Sequence, residues 1–306
     1  MSSFIKNIVL FCIVGLFFGE VICRLAYVTS DIPSRIIDSN SIQKYNPNQK
    51  GHWTGGTHTW IINEDGWPGH LPKSKENLIT IIGDSYIENF MNPDSCHQSN
   101  FLDKFSPSFN YYEASRSGIS FIGAMEIAAS LDSLNPIHQL IYVHDADFTE
   151  SSSIIHKMGD ITQFNSKTNS IIPGKLNSPL VKKFLYNWKF IYYLYINYSF
   201  TKKENTTTKP EVQVSDKPKL TEEQITELTK LLTYSKNNYD HKNITLVFRP
   251  NADPKIITIL KDLNFNMLLL KDNKQKEWSF KHDPHWTCIG HEEAAKQISN
   301  YILNSK

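Results

Sequence analysis

The chain has 306 residues, enough for one large domain with appendages, and its 32 basic and 31 acidic side chains leave a formal charge of +1. No basic stripe stands out, so nothing in it suggests a nucleic-acid partner. Aromatic residues make up 12%, which sets the chain apart from a disordered composition.

The first element is apolar. Lys6 precedes the run from Ile8 to Gly19, and Glu20 and Arg24 follow at a spacing that lets them pair on one helix face. The uninterrupted apolar core is short for a spanning helix and suits a signal-peptide core by length. No small-x-small cleavage site follows it, and Arg24 can extend toward headgroups. Residues 1–28 therefore read as an uncleaved signal anchor, with the remainder facing the periplasm or cell exterior. A lipoprotein reading at Cys23 is opposed by the bulk of Ile22.

Residues 29–76 read as an extended lead-in rich in turn residues, with a short strand and turn from Trp60 to Gly69. From 77 onward strand-like and helical patterns alternate. Strands are expected at 77–83, 110–115, 139–144, 243–248 and 265–270. Helices are expected near 97–106, 119–133, 220–237, 253–263 and 289–303. This alternation predicts an α/β domain over 77–306, a flavodoxin-like doubly wound parallel sheet, with an insertion at about 151–219. The insertion carries an aromatic run from Leu185 to Ile196. Core packing is its default reading; a sugar-binding cleft or the bilayer surface are the alternatives. The Lys/Thr-rich stretch 201–219 has no apolar period and predicts a mobile loop. Cys96 and Cys288 could pair in an oxidising compartment, but two free buried thiols are the preferred reading.

The chemistry sits at two ends of this domain. The apolar run from Leu78 to Ile82 ends in Gly83-Asp84-Ser85, which delivers a serine to the carboxyl edge of a strand. Near the C-terminus stands Asp283-Pro284-His285. His285 could take the serine proton, and Asp283 could fix the imidazole tautomer. Other readings are a helix cap at Asp84 or Ser85, His282 as a rival base, and His291 as a packing residue inside the last helix. A metal set of His282, Asp283, His285 and His291 lacks a recognised ligand spacing, so no metal or cofactor is expected.

These motifs resemble those of the SGNH (GDSL-type) hydrolases. Gly83-Asp84-Ser85 matches the first block, Ser115-Arg116-Ser117-Gly118 the glycine block, and Asp283-Pro284-His285 the last. The resemblance runs from about Leu78 to Ile302 with a break around 151–219. It implies an SGNH-like fold, a catalytic set of Ser85, Asp283 and His285, and an oxyanion site from the N–H groups of Ser85 and Gly118. The sequence departs from the family twice. Asp283 lies two residues before the histidine rather than three, and Ala146 in His144-Asp145-Ala146-Asp147 stands where the third block carries asparagine. His144 or Tyr86 are candidate substitutes for that donor.

Membrane-anchored relatives of this kind act in polysaccharide acylation. The resemblance therefore implies an esterase or O-acyltransferase, with acetyl as the expected group and a cell-surface or secreted polysaccharide as substrate. A transferase would need a membrane protein to deliver the acyl group. The alternative is a non-catalytic polysaccharide-binding or scaffold protein on a degenerate SGNH fold.

Overall fold

Five parallel strands form the sheet that positions the candidate site. They are β1 (Leu78–Gly83), β2 (Asn110–Ser115), β3 (His138–Val143), β4 (Ile244–Phe248) and β5 (Met267–Leu269). Their spatial order is 2-1-3-4-5, and every pairing is parallel. This is the flavodoxin-like doubly wound order expected from the sequence. The computed structural model describes residues 2–198, 220–272 and 276–304; the stretch 201–219 expected to be mobile lies outside them.

The strands read as continuous apolar runs because both faces of the sheet are covered. Leu78, Ile82, Ile141, Leu246 and Phe248 face one core, packed against α4 (Phe121–Leu131), α8 (Glu222–Asn238) and α9 (Pro254–Asp262). Ile79, Ile81, Leu140 and Val247 face the other, with α3 (Gln98–Phe105) and α10 (Cys288–Asn304). Neighbouring positions on β1 thus alternate between two cores, as the two-residue strand period requires. Helix starts are set by side chains: Ser120 caps α4, Thr221 and Gln224 form a capping box on α8, and Asp253 caps α9.

The chain divides into two units. The smaller takes Met1–Ser34, Lys50–Thr59 and Ser178–Lys219; the larger takes Arg35–Gln49, Trp60–Asn177 and Leu220–Lys306 and contains the sheet. The smaller unit holds α1 (Ser2–Leu25), of which Ser3–Leu25 is long and apolar enough to cross a membrane by length and composition. It also holds α6 (Pro179–Asn187) and α7 (Lys189–Asn197), which carry the aromatic run. Core packing was the default reading for that run. Within it Lys189 is the one buried residue, Leu185, Tyr186 and residues 190–194 are half-buried, and Trp188, Tyr195 and Ile196 are exposed; none of them belongs to the two cores of the sheet.

Cysteine usage also differs from expectation. Cys96 and Cys288 form a disulfide across 192 residues rather than remaining free thiols. Cys96 ends a short 3-10 turn just before α3, and Cys288 opens α10. The two helices pack on the same face of the sheet, so their first turns meet. Pairing of this kind depends on Cα positions that spacing in sequence does not supply. Beside the disulfide, the Gln98 amide donates to the His291 carbonyl at 2.9 Å and contacts His291 Nδ1 at 3.0 Å. Tyr142 donates to Gln98 Oε1 at 2.9 Å. His291 is therefore a buried packing residue of α10, and burial, with His97 and His285 nearby, pulls its pKa down to about 3.

Two outcomes follow from this junction. In denaturant without reductant, two of the four cysteines, Cys12 and Cys23, should react with a thiol reagent, and all four after reduction. Four reactive thiols before reduction would contradict the disulfide. The second outcome concerns pH. The ordinary pKa of histidine is 6.5 and that of folded His291 is about 3, so between these values the unfolded chain binds the proton and acidification favours unfolding. His291→Gln should flatten the fall of unfolding free energy between these pH values by up to about 1.4 kcal/mol per pH unit. His97 and His144, whose pKa values are raised, act with the opposite sign in both proteins and cancel in the comparison.

Candidate active site

Gly83 ends β1, and the chain turns directly into the short helix α2 (Ser85–Glu88). A Cβ at Gly83 would come within 2.5 Å of Ile87, so only glycine allows this strand-to-helix turn to be so tight. Asp84 caps the helix by accepting from the Tyr86 N–H at 2.9 Å. The helix-cap reading of this motif is thus satisfied by Asp84, and Ser85 is left free to point its hydroxyl elsewhere.

That hydroxyl meets His285. Ser85 Oγ lies 2.8 Å from His285 Nε2, although the residues are 200 apart in sequence. His285 Nδ1 makes a short hydrogen bond to Asp283 Oδ1, which also accepts the His285 backbone N–H at 2.9 Å. Partial burial tends to raise the Asp283 pKa, but these two hydrogen bonds and the neighbouring imidazole outweigh it and hold the carboxyl below its usual value. Asp283 is therefore ionised at neutral pH, the imidazole proton sits on Nδ1, and Nε2 is left as the acceptor for the serine O–H. His282, the rival base, makes no contact of this kind among the described residues.

The sequence placed Asp283 and His285 only near the C-terminus, ahead of the helix expected at 289–303. They lie on strand β7 (Asp283–Trp286), paired antiparallel with β6 (Ser279–Phe280). In an extended strand, residues two apart share a face. The Asp-x-His spacing, one shorter than the family's, therefore places the carboxylate beside its own ring. The ribbon is anchored by Trp286, whose ring packs edge-on against Tyr86, Trp278 and His291, and whose carbonyl accepts from Asn92 Nδ2 at 2.9 Å.

Gly118 lies on the loop after β2, at φ +75°, a conformation that favours glycine. β2 pairs with β1 in the register Gly83↔Ser115, and the Arg116 N–H continues the ladder to the Gly83 carbonyl at 3.2 Å. The loop is fixed from behind by charged side chains. Glu88, on the same helix as Ser85, accepts from the Ser117 N–H at 2.7 Å and from the Tyr45 hydroxyl. Arg35 donates to Ser117 Oγ at 2.8 Å. Arg116 donates to the carbonyls of Gln43, Ser117 and Gly118. Burial raises the Glu88 pKa against the pull of Tyr45, Ser117 and the two arginines. Burial and Arg35 lower that of Arg116 to about 10, so it stays cationic at neutral pH. None of Glu88, Arg35 or Tyr45 stood out in the sequence.

The third block forms the start of α5 (Asp145–Glu150). Ala146 contributes no polar side chain there. Its neighbours make a charge cluster instead, half-buried at Asp84 and His144 and buried at Asp147: one ligand atom from each lies within 4.8 Å of the others. Asp147 accepts the His144 N–H at 2.7 Å and approaches His144 Nδ1 at 2.7 Å, off the line of a good hydrogen bond. Burial, then the Asp147 carboxylate, push the Asp84 pKa up; burial pushes up that of Asp147. Burial opposes protonation of His144, but Asp147 prevails and raises its pKa. The three residues could offer ligands to a cation, yet each carboxylate already accepts a backbone N–H. Arg249 completes the cluster's charge balance. It follows directly on β4, and its guanidinium carbon lies 3.7 Å from the centroid of the Tyr86 ring, which in turn lies 4.6 Å from that of His285. Sequence reading missed Arg249, although it follows an apolar strand as Ser85 and His144 do, and that shared position was the available signal.

No protein-family model and no curated protein matches this chain. Distant solved structures do. The psychrotrophic esterase EstA from Pseudoalteromonas sp., inhibited by monoethylphosphonate, is 15% identical over 75% of this chain and 98% of its own, with a TM-score of 0.39. A family two carbohydrate esterase from Clostridium thermocellum, in complex with cellohexaose, is 12% identical over 81% and 70%, with a TM-score of 0.38. TesA is 9% identical over 74% and 98%, with a TM-score of 0.37. The SGNH-like fold itself is read from the strand order and from the position of the motif residues at the carboxyl edge of the sheet.

The Glu88 contacts can be tested by stability. Glu88→Ala leaves the half-buried Ser117 N–H without its acceptor and should cost about 1 kcal/mol in denaturant unfolding. Glu88→Gln keeps a carbonyl oxygen in place and should cost less. Equal stability of Glu88→Ala and the parent would show that Ser117 finds another partner.

Proposed function

We propose that this protein is a serine acyl-ester enzyme that uses Ser85, His285 and Asp283, removing or moving an acyl group, with acetyl expected, on a cell-surface or secreted polysaccharide. The observation that carries the reading is the 2.8 Å contact of Ser85 Oγ with His285 Nε2, backed by Asp283 on the other ring nitrogen. In this mechanism His285 takes the hydroxyl proton as Oγ attacks the ester carbonyl. The tetrahedral intermediate collapses, His285 returns the proton to the departing alcohol, and an acyl-serine remains. Water or a sugar hydroxyl, activated by His285 in turn, then accepts the acyl group. The first outcome is hydrolysis and the second is transfer. The N–H groups of Ser85 and Gly118 are the proposed oxyanion donors.

The choice of a polysaccharide ester rests on the sequence resemblance. In the same reading α1 anchors the protein in a membrane and the larger unit faces the periplasm or cell exterior. The Cys96–Cys288 disulfide agrees with an oxidising compartment. A transferase would draw on a membrane protein that delivers the acyl group. Ala146 favours a second reading: without the third-block donor, the fold could serve as a polysaccharide-binding scaffold.

A serine-directed fluorophosphonate and an aryl acetate separate these readings. The probe should label the parent protein and fail on Ser85→Ala. Ser85→Ala and His285→Ala should each lower turnover by roughly 10³-fold or more, with melting temperatures within a few degrees of the parent. Asp283→Asn should cost less than either. An unlabelled parent, or Ser85→Ala with full activity, would overturn the enzyme reading and support the scaffold.

A further inference from the structure

The smaller unit contains an apolar surface that its own packing does not cover. α6 presents Leu180, Val181 and Phe184 on one face, and Trp188 continues that face one turn on. Leu180 is 81% exposed, Val181 65% and Phe184 57%. The rings of Phe184 and Trp188 lie 6.1 Å apart. Lys182 and Lys183 project from the other side of the helix. A contiguous exposed apolar face of this kind marks an interaction site rather than ordinary surface.

The junction of this hairpin with α1 indicates what covers it. Glu20 of α1 accepts the backbone N–H of Lys189 at 3.2 Å and of Phe190 at 2.9 Å, and so caps α7, whose own first residues supply no cap. Arg24 pairs with Glu20 at 2.7 Å and donates to the Asn187 carbonyl, the end of α6. The Phe190 ring lies against Gly19 so closely that a Cβ there would sit 2.7 Å from it. Lys189 reaches Asp31 at 2.6 Å, just beyond α1. The bend between α6 and α7 is thus fixed to the last two turns of α1.

We propose that the α6–α7 hairpin is a second membrane contact, lying in the headgroup–acyl boundary with the Leu180–Val181–Phe184–Trp188 face toward lipid. This rests on the reading of α1 as a membrane-spanning anchor. Glu20 and Arg24 are the charged groups in the last two turns of the 23-residue apolar stretch, and in the anchor reading such groups mark the membrane–water boundary. Residues bound directly to Gly19, Glu20 and Arg24 lie at the same depth. The composition fits that depth: tryptophan and tyrosine concentrate at bilayer interfaces, and lysines on the polar face meet anionic headgroups. The hairpin meets α1 at the Gly19–Phe190 contact. A bilayer that covers one therefore reaches the other.

The full chain in phosphatidylglycerol-containing liposomes doped with a diazirine phospholipid provides the test. After irradiation and trypsin digestion, lipid adducts should appear on Asn7–Arg24 of α1 and on Phe184–Lys189 of the hairpin, and not on Leu231–Lys236 of the larger unit. The variant Leu180→Asp with Phe184→Asp should lose the hairpin adduct and keep that of α1. Adducts on Asn7–Arg24 with none on Phe184–Lys189 would overturn the proposal while leaving the anchor reading intact. Adducts on neither would remove both.

Discussion

Everything at the candidate site depends on bringing together two segments 200 residues apart and holding them at hydrogen-bond distance. A parallel sheet does the first part, because every strand delivers its following residues to the same edge. It does not do the second. His285 is not on a sheet strand but on a separate two-stranded ribbon, and an isolated ribbon is marginal by itself. Its position is set by what lies behind it. The Cys96–Cys288 disulfide, the Gln98–His291 pair and the Asn92–Trp286 hydrogen bond all join the segment after Ser85 to the segment around His285. A disulfide closing so long a loop typically contributes about 2–4 kcal/mol. Here it also ties the segment after Ser85 to the segment that carries His285.

The charged groups around Ser85 divide into two sets with different physical tasks. Glu88, Arg35 and Arg116 lie behind the loop bearing Gly118. Glu88 and Arg116 satisfy its backbone groups and Arg35 the Ser117 hydroxyl, and leaving these half-buried groups unpaired would be costly. Through Glu88, the helix that carries Ser85 and the loop that carries Gly118 share one buried carboxylate. Asp84, His144, Asp147 and Arg249 form the other set, beside Tyr86. The Asp147 carboxylate raises the proton affinity of Asp84, and His144 and Arg249 offset that repulsion. This cluster occupies the third block, where Ala146 removes the side chain that the resemblance led one to expect.

Much of the sheet was legible because its signal is local. The run Leu78–Gly83 is apolar throughout, and a strand buried on both faces has to be. The observed β1 through β4 match the expected ranges within a residue at either end; β5 is shorter, Met267–Leu269 within the expected 265–270. Ser85 was legible because it follows the run Leu78–Gly83; Asp283 and His285 were legible only as an acid and a base two residues apart near the C-terminus. What was not legible has a common cause. The pairing of Cys96 with Cys288, the seat that Arg35 and Tyr45 provide for residues 116–118, and the place of Arg249 beside Tyr86 are all contacts between distant segments. Periodicity within a window carries no information about them. The Asp-x-His spacing was legible as an anomaly, but its explanation needed the strand β7, which is too short to announce itself.

The aromatic run shows the limit of composition from the opposite direction. Tyr, Trp and Phe at high density satisfy a core, a sugar cleft and a bilayer interface equally well, so the residue types alone do not choose. The choice is made by charged residues elsewhere in the chain. Glu20 and Arg24 interrupt an apolar helix, and read alone they only mark its end. In the fold they are also the cap and the clamp of the α6–α7 bend. Without Glu20, the first N–H groups of α7 would lack the side chain that caps them. The same two side chains therefore close the last turns of α1 and fasten the hairpin beside it. This couples the placement of α6 and α7 to the end of α1, although 163 residues separate Arg24 from the carbonyl it holds.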